Sequence, residues 1–410
     1  IFIGQGVGPL AIAGLAITFP FMNLSAAFGA GIGVGASTLL SVKLGQRDYD
    51  IANRILGNNV MLNIIVGVLF AGISLLWLDD ILLFFGASEA TLPYARDYMV
   101  IILLGNAVTH LHLGLNAMLR SAGKPREAMY LTIATVILNA FLDPIFIYVL
   151  GLGIRGAAFA TILSQIAALV CQWWLFSKKD ELVHLEYSKL HLEAPIVKSI
   201  FSIGVSPFAM NACACLVVIF INNSLMKYGG DMAVGAFGIA NRFAFIFVMV
   251  TLGVCQGMQP ITGYNFGAQN YNRMLEALKL ASISGTVVCA VGFMIAMFCP
   301  RFVASMFTSD ETLIAHSIVA MKYIMALFII IGAQMVITNF FQSIGSAKVS
   351  IFLSLSRELL FLVPLILILP LSRGLEGVWL AMPVSDAIAA VMAYAMIALY
   401  IHRIKKERKF

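Results

Sequence analysis

Residues 53–78 read NRILGNNVMLNIIVGVLFAGISLLWL, and from Ile55 to Leu78 the stretch carries no charged side chain. A helix needs about 20 consecutive apolar residues to cross the roughly 30 Å hydrocarbon core of a bilayer. The period-two alternation of a membrane β-strand is absent. Backbone in lipid must satisfy its own hydrogen bonds, so a membrane helix is the reading that remains. Working outward from this stretch, ten further blocks of the same kind follow: roughly 10–42, 93–119, 127–150, 156–177, 196–226, 232–264, 274–299, 313–344, 349–371 and 377–402. Residues of the AVILMFWYC set make up 61% of the 410-residue chain and charged residues 11%. Globular chains are nearer half apolar and a quarter charged, so a soluble protein of two or three domains is excluded. The predicted fold class is an all-α polytopic membrane protein.

The 34 glycines and the mid-helix prolines Pro20, Pro144, Pro207, Pro260, Pro364 and Pro383 agree with this. Neighbouring helices re-satisfy freed backbone groups in a membrane bundle, and small residues let helices approach closely. Gly29, Gly31, Gly33 and Gly35 therefore read as helix packing, since no Gly-Lys-Ser/Thr follows to make a phosphate loop. The six cysteines (Cys171, Cys213, Cys215, Cys255, Cys289, Cys299) lie in or at the ends of apolar blocks and read as small packing residues. Of the 26 lysines and arginines, 18 fall on alternate connectors and on the tail Arg403, Lys405, Lys406, Arg408, Lys409. By the positive-inside rule those connectors and the C-terminus face the cytoplasm, in a multi-pass membrane protein. The tail is also suited to touch anionic lipid. The net charge of +6 is explained by this asymmetry, and no basic and aromatic interleaving points to nucleic acid.

The chain repeats itself at a spacing of about 222 residues. Gly31 and Gly35 match Gly253 and Gly257; Gly45-Gln46-Arg47-Asp48-Tyr49 matches Gly267-Ala268-Gln269-Asn270-Tyr271; Ser121-Ala122-Gly123 matches Ser343-Ile344-Gly345. Loop signs agree between the halves, which predicts two parallel repeats about an axis along the membrane normal. The expected lobes are 1–188 and 189–410. The second half opens with a block at 196–226 whose counterpart falls before Ile1, so the expected architecture is six helices plus six, with the first helix largely outside this numbering.

Intramembrane polar groups are functional candidates because they are costly in lipid. Asn139 and Asp143 are four residues apart and share a helix face, and Pro144 frees carbonyl groups beside the carboxylate. An acid, an amide oxygen and spare carbonyls suit a proton or a hard cation such as Na⁺. The second-half counterparts are Phe361 and Leu365, and Thr161 on the next helix corresponds to Met382. The asymmetry favours a functional role over a helix-to-helix hydrogen bond. Arg242 and the pair Arg357-Glu358 read as structural ion pairs or substrate contacts. Asp386 reads as a second-choice coupling or cavity carboxylate. Gln256 and Gln259 fit interhelical hydrogen bonding. His110 and His112 point to different faces and predict no shared metal.

The run Gln256-Gly257-Met258-Gln259-Pro260-Ile261-Thr262-Gly263-Tyr264-Asn265-Phe266-Gly267-Ala268, with Ile1-Phe2-Ile3-Gly4, Arg120-Ser121-Ala122-Gly123 and Asn139…Asp143-Pro144, resembles the multidrug and toxic compound extrusion (MATE) family over essentially the whole chain. The resemblance is to its DinF-like and MepA-like branches. It implies twelve helices in two lobes around a V-shaped central cavity, and drug export driven by inward H⁺ or Na⁺. The NorM-like Glu of the seventh helix and Asp of the tenth have no match here. The DinF-like pattern maps onto Tyr98, Asn139, Asp143 and Thr161, with a further Asp expected just before Ile1. Asn116 and Gln165 match drug-cavity positions of that branch, and Arg242, Gln256 and Asp386 are further candidate substrate contacts.

The resulting expectation is a monomeric ion-coupled antiporter of cationic or amphipathic drugs, with Asp143 as coupling carboxylate and no cofactor beyond the coupling ion. A flippase for a lipid-linked sugar is the alternative, but it calls for a more cationic cavity than Arg242, Arg357 and Lys322 supply. No His-Glu-x-x-His or Gly-x-Ser-x-Gly constellation supports an enzyme.

Overall fold

The computed structural model describes residues 9–407. The motif Ile1-Phe2-Ile3-Gly4, the tail residues Arg408 and Lys409 and the Cys215 side chain lie outside the described residues. Within them the chain is helical almost throughout: α1 (Pro9–Gly45), α2 (Tyr49–Leu76), α3 (Leu78–Phe84), α4 (Leu92–Leu104), α5 (Asn106–Ser121), α6 (Pro125–Pro144), α7 (Gly153–Phe176), α8 (Ala194–Gly267), α9 (Tyr271–Phe298), α10 (Pro300–Ser305), α11 (Glu311–Ile324), α12 (Phe328–Ser343), α13 (Ala347–Leu355), α14 (Val363–Arg373) and α15 (Leu375–Glu407). A π-helical turn follows α6 (Ile145–Val149), and another joins α13 to α14 (Ser356–Leu362).

Eight of these helices or helix runs are long and apolar enough to cross a membrane, and two bent pairs each make one more. The 74-residue α8 is two spans, because Gly230 (φ 66°, ψ −167°) breaks it. An unbroken helix of that length would run about 110 Å, more than three bilayer cores. The described residues thus hold eleven crossings, one for each apolar block.

The 222-residue repeat is a structural repeat. Tyr49–Leu76 and Tyr271–Phe298 are both 28 residues long, and Asn106–Ser121 and Phe328–Ser343 both 16. The corresponding spans Leu92–Ser121 and Glu311–Ser343 each bend at their middle, by 55° between α4 and α5 and by 51° between α11 and α12. The turn after α1 puts Arg47 in the left-handed region (φ 60°), and the turn after α8 does the same to Gln269 (φ 56°). Both are followed by a side-chain cap: Asp48 accepts from the Ile51 amide at 3.3 Å and Asn270 from the Arg273 amide at 3.5 Å. A left-handed residue closing one helix and a carboxylate or amide opening the next turns the chain in three residues.

The chain forms two compact units, Ile1–Phe208 and Ala209–Phe410. In the first, α1, α2 and α5 pack together, and α7 is clasped by α4, α5 and α6. In the second, α9 packs on α12 while α15 packs on α14 and on the π turn before it. Lipid tails are as apolar as leucine, so close backbone approach substitutes for hydrophobic drive between membrane helices. At each of Gly29, Gly31, Gly33 and Gly35 an added Cβ would fall within 3.0 Å of a neighbouring backbone atom. The closest is at Gly35, 2.2 Å from the Ile200 carbonyl oxygen at the start of α8. The packing reading of this glycine run holds.

Candidate functional site

The first unit places Tyr98, Asn139, Asp143 and Thr161 in one cluster. Asn139 and Asp143 stand one turn apart on α6, and the Asn139 Nδ2 donates to Asp143 Oδ1 at 3.4 Å and to Thr161 Oγ1 on α7, also at 3.4 Å. Thr161 Oγ1 in turn donates to the Ala157 carbonyl at 3.0 Å. Tyr98, buried on α4 with 6% exposure, lies beside Thr161 and Asp143. The three helices converge here because α7 packs on both α4 and α6.

Pro144 shapes the backbone at the acid. Lacking an N–H, it leaves the Ala140 carbonyl without its usual helical donor, and the chain continues as the π turn Ile145–Val149. Such turns inside helices mark functional sites more often than chance. The Asp143 side chain is half-buried, and among the described residues no Lys, Arg or His forms an ion pair with it. Its neighbours are an amide, a hydroxyl and a phenol. These are hard oxygen donors of the kind that hold Na⁺, and they equally suit a carboxyl that takes a proton. Both Asn139 bonds are near the outer limit of hydrogen-bond length, so the cluster is loosely tied. Among the described residues no group of three His, Cys, Asp or Glu side chains is placed to bind a metal ion. In the second unit the counterpart positions are apolar: Leu365 and Met382 pack in a core with Ile366, Val378 and Trp379.

The other candidates are dispersed. Gln165 sits one turn beyond Thr161 on α7 and accepts from Thr109 Oγ1 at 2.6 Å. The Asn116 amide is fully engaged: its Nδ2 donates to the Ala128 carbonyl and to Thr132 Oγ1, both at 3.1 Å, and its Oδ1 accepts from Arg120. Arg242 and Gln256 are exposed on the second span of α8. Asp386 is buried on α15, 3.8 Å from the Arg357 guanidinium.

A match to the MatE family model covers residues 1–145 and 207–368. The chain belongs to the MatE family. Its members are transporters, and this protein is accordingly a multi-pass membrane transporter. It is 26% identical over 407 residues to the multidrug export protein MepA of Staphylococcus haemolyticus (strain JCSC1435), covering 99% of this chain and 89% of that one. A crystal structure of MATE in the bent conformation superposes with a TM-score of 0.94 at 26% identity, covering 100% of this chain and 91% of the other. The outward-facing conformation of a multidrug resistance MATE family transporter superposes with a TM-score of 0.92 at 26% identity, covering 98% and 90%.

Two polar assemblies of this MATE chain escaped the sequence reading. Ser25 on α1 donates to Asn106 Oδ1 at 2.6 Å and lies 3.2 Å from His110 Nε2, while Asn106 Nδ2 donates to the Gly67 carbonyl at 3.1 Å. This triad stitches α1, α2 and α5 at the bend between α4 and α5. The second is a strap. The connector between α7 and α8 lies on the start of α2, where Asn53 Oδ1 accepts from the His184 amide at 3.1 Å and Asn58 Oδ1 from the Glu193 amide at 2.7 Å. Lys189 bridges Asp50 at 2.9 Å and Glu186 at 2.8 Å, and Lys124 pairs with Glu181 at 2.8 Å. The hydrogen bond from Lys189 holds the Glu186 carboxyl below its ordinary value, and Lys124 does the same for Glu181. Partial burial pulls Lys189 down, but its bonds to Glu186 and Asp50 outweigh this and raise it. The signal was present in the opening stretch: Asn53, Asn58, Asn59 and Asn63 fall within eleven residues of an otherwise apolar helix.

Proposed function

We propose that this protein is a secondary active exporter that antiports cationic or amphipathic drugs against H⁺ or Na⁺. The observation that carries the reading is Asp143: a half-buried intramembrane carboxylate that, among the described residues, is bonded by the neutral Asn139 amide and is ion-paired with no Lys, Arg or His. A carboxylate paired with Arg or Lys is neutralised permanently; one without a cation is neutralised only by an ion that comes and goes. The names borne by MepA and by the multidrug resistance MATE structure support drugs as the cargo.

Asn139 is suited to serve both states of the acid. With its NH₂ toward Asp143 it stabilises the anion; turned over, its oxygen accepts from a protonated Asp143 or joins Thr161 and the carboxylate around Na⁺. Tyr98, beside Thr161, adds a phenol oxygen to the same cluster. Gln165 extends the polar row one turn along α7, toward the drug-cavity role expected for it, for Asn116 and for Arg242 and Gln256. Ion occupancy drives export only if the ion binds the two lobe arrangements with different affinity. One charge moving down 100 mV supplies about 2.3 kcal/mol, roughly a fifty-fold gradient of an uncharged cargo. We assign the protein to the bacterial cytoplasmic membrane, monomeric, with lobes 1–188 and 189–410 and its C-terminus cytoplasmic.

The test is ethidium transport in proteoliposomes under an imposed pH or Na⁺ gradient. Asp143→Asn is expected to abolish the gradient-driven component. Wild-type rates in that variant would remove Asp143 from the coupling role, and absence of transport in the wild type would remove the export reading.

A further inference from the structure

The second unit carries an intramembrane charge cluster whose charges do not cancel. Arg357 and Glu358 lie on the π turn Ser356–Leu362, and Asp386 lies on α15 packed against it. The Arg357 Nη2 is 3.1 Å from Glu358 Oε1, and its Nη1 is 3.8 Å from Asp386 Oδ1. The remaining Glu358 oxygen, Oε2, is buried without a hydrogen-bond partner. One guanidinium thus faces two carboxylates, and full ionisation leaves one uncompensated negative charge inside the membrane.

Among the described residues no cation besides Arg357 forms an ion pair with either acid. Of the other helices packed on α15, α12 carries no titratable residue, and α11 carries Glu311, His316, Lys322 and Tyr323, the last bonded to Glu376 at the start of α15. Glu358 and Arg357 are the charged groups that act on Asp386, and Cys213 on α8 is a further titratable side chain facing Glu358. Between Lys348 and Arg373, the span of α13, the π turn and α14, Arg357 and Glu358 are the only titratable residues. On α15 the nearest others, Glu376 and Tyr394, are at least two turns from Asp386. An uncompensated charge in this setting costs several kcal/mol. A proton on one carboxyl removes it. A metal ion is disfavoured, because the guanidinium already occupies the space between the acids. About a third of the Arg357 side chain is accessible (32%), against 16% and 13% for Glu358 and Asp386, so the cluster is not sealed off.

The placement supports a functional role. The cluster uses α13–α14 and α15, the repeat counterparts of the α6 and α7 that hold Asn139, Asp143 and Thr161; a π turn follows Asp143 directly in the first half and contains Arg357 and Glu358 in the second. The residues differ: Asp386 answers to Gln165, and no acid of the first half answers to Glu358.

We propose that Arg357, Glu358 and Asp386 form a second proton site, which binds and releases one H⁺ per transport cycle in addition to the ion at Asp143. The step is a proton transfer between water and a carboxylate oxygen of Asp386 or Glu358, with Arg357 holding the other carboxylate as its counter-ion. The proposal rests on ion-coupled export. It has a charge consequence: two cations exchanged for one monovalent drug cation move one net charge, whereas a single site exchanges them with none.

The experiment uses the full chain in proteoliposomes, with ethidium as the monovalent cation and a valinomycin-clamped potential of about 100 mV as the sole driving force, where one net charge corresponds to a roughly fifty-fold gradient. The wild type is expected to build that gradient. Asp386→Asn and Glu358→Gln are each expected to lose it while keeping ethidium exchange driven by the ion of Asp143, because either change leaves Arg357 with one neutralising partner. A full potential response in both variants overturns the proposal. Should neither variant fold, infrared titration of the Asp143→Asn protein decides between about pH 5 and 9, above the range where exposed carboxyls titrate. Loss of a protonated-carboxyl band across that range supports the second site, and absence of any such band overturns it. That measurement needs no transport, so it stands even if the export reading fails.

Discussion

Gly35 and Gly257 occupy the same position in the two repeats, yet their surroundings differ. A Cβ on Gly35 would lie 2.2 Å from the Ile200 carbonyl oxygen and 3.2 Å from the Gly204 amide nitrogen; a Cβ on Gly257 meets nothing within 4 Å. Replacing either with alanine removes the same entropic penalty of glycine in a helix, about 0.5–1 kcal/mol. That gain is common to both and cancels in the comparison. What remains is the steric cost at Gly35, where the neighbouring atoms are helix backbone and cannot swing aside: α1 and the start of α8 must separate by about 1 Å, which also loosens the neighbouring Gly31–Gly204 approach. Overpacking of this kind costs about 1–3 kcal/mol. Gly35→Ala is therefore expected to be less stable than Gly257→Ala by that amount, a factor of roughly 5–150 in the opening equilibrium. Residual monodisperse protein after heating in detergent, read by fluorescence-detected chromatography, compares them. Gly257→Ala should match or exceed the wild type. Equal loss in both variants would refute the reasoning, because it would mean that the shared sequence position matters and the packing does not.

The left-handed turn residues predict a symmetric gain. Arg47→Gly and Gln269→Gly should each stabilise by roughly 1 kcal/mol, measured in the same assay, since glycine bears no Cβ penalty at φ near 60°. Removing the caps Asp48 or Asn270 with alanine should cost about 1 kcal/mol each. The strap should be pH-sensitive. Glu181 and Glu186 have carboxyls held below their ordinary values, so their contribution is full above about pH 4.3 and is lost as pH falls through the lowered values. Hydrogen-exchange protection of residues 181–193 is expected to hold from about pH 7 to 5 and to fall below about pH 4. Thr161→Val removes the hydroxyl that accepts from Asn139, and should weaken the apparent affinity for the coupling ion several-fold in the transport assay while costing no more than about 1.5 kcal/mol of thermal stability.

Much of this protein was legible in its residues alone. Membrane helices follow from composition because lipid admits only helices and closed barrels and the alternation of a barrel strand is absent, and the parallel repeat follows from matched glycines and loop motifs at a constant offset. Asn139 and Asp143 were legible as a pair because helical periodicity is local. Thr161 was nominated by asymmetry with Met382 and by family resemblance, but its contact with Asn139 depends on how α6 and α7 cross. The strap was missed because its asparagines bind backbone amides more than a hundred residues away, and no local pattern encodes such a partner. The pair Arg357-Glu358 could neutralise itself in sequence; the fold brings Asp386 beside it and leaves the charge unbalanced. Gly35 and Gly257 make the same distinction. Their sequence position is shared because the repeat is, but what a glycine is for depends on the backbone opposite, and packing in space decides that.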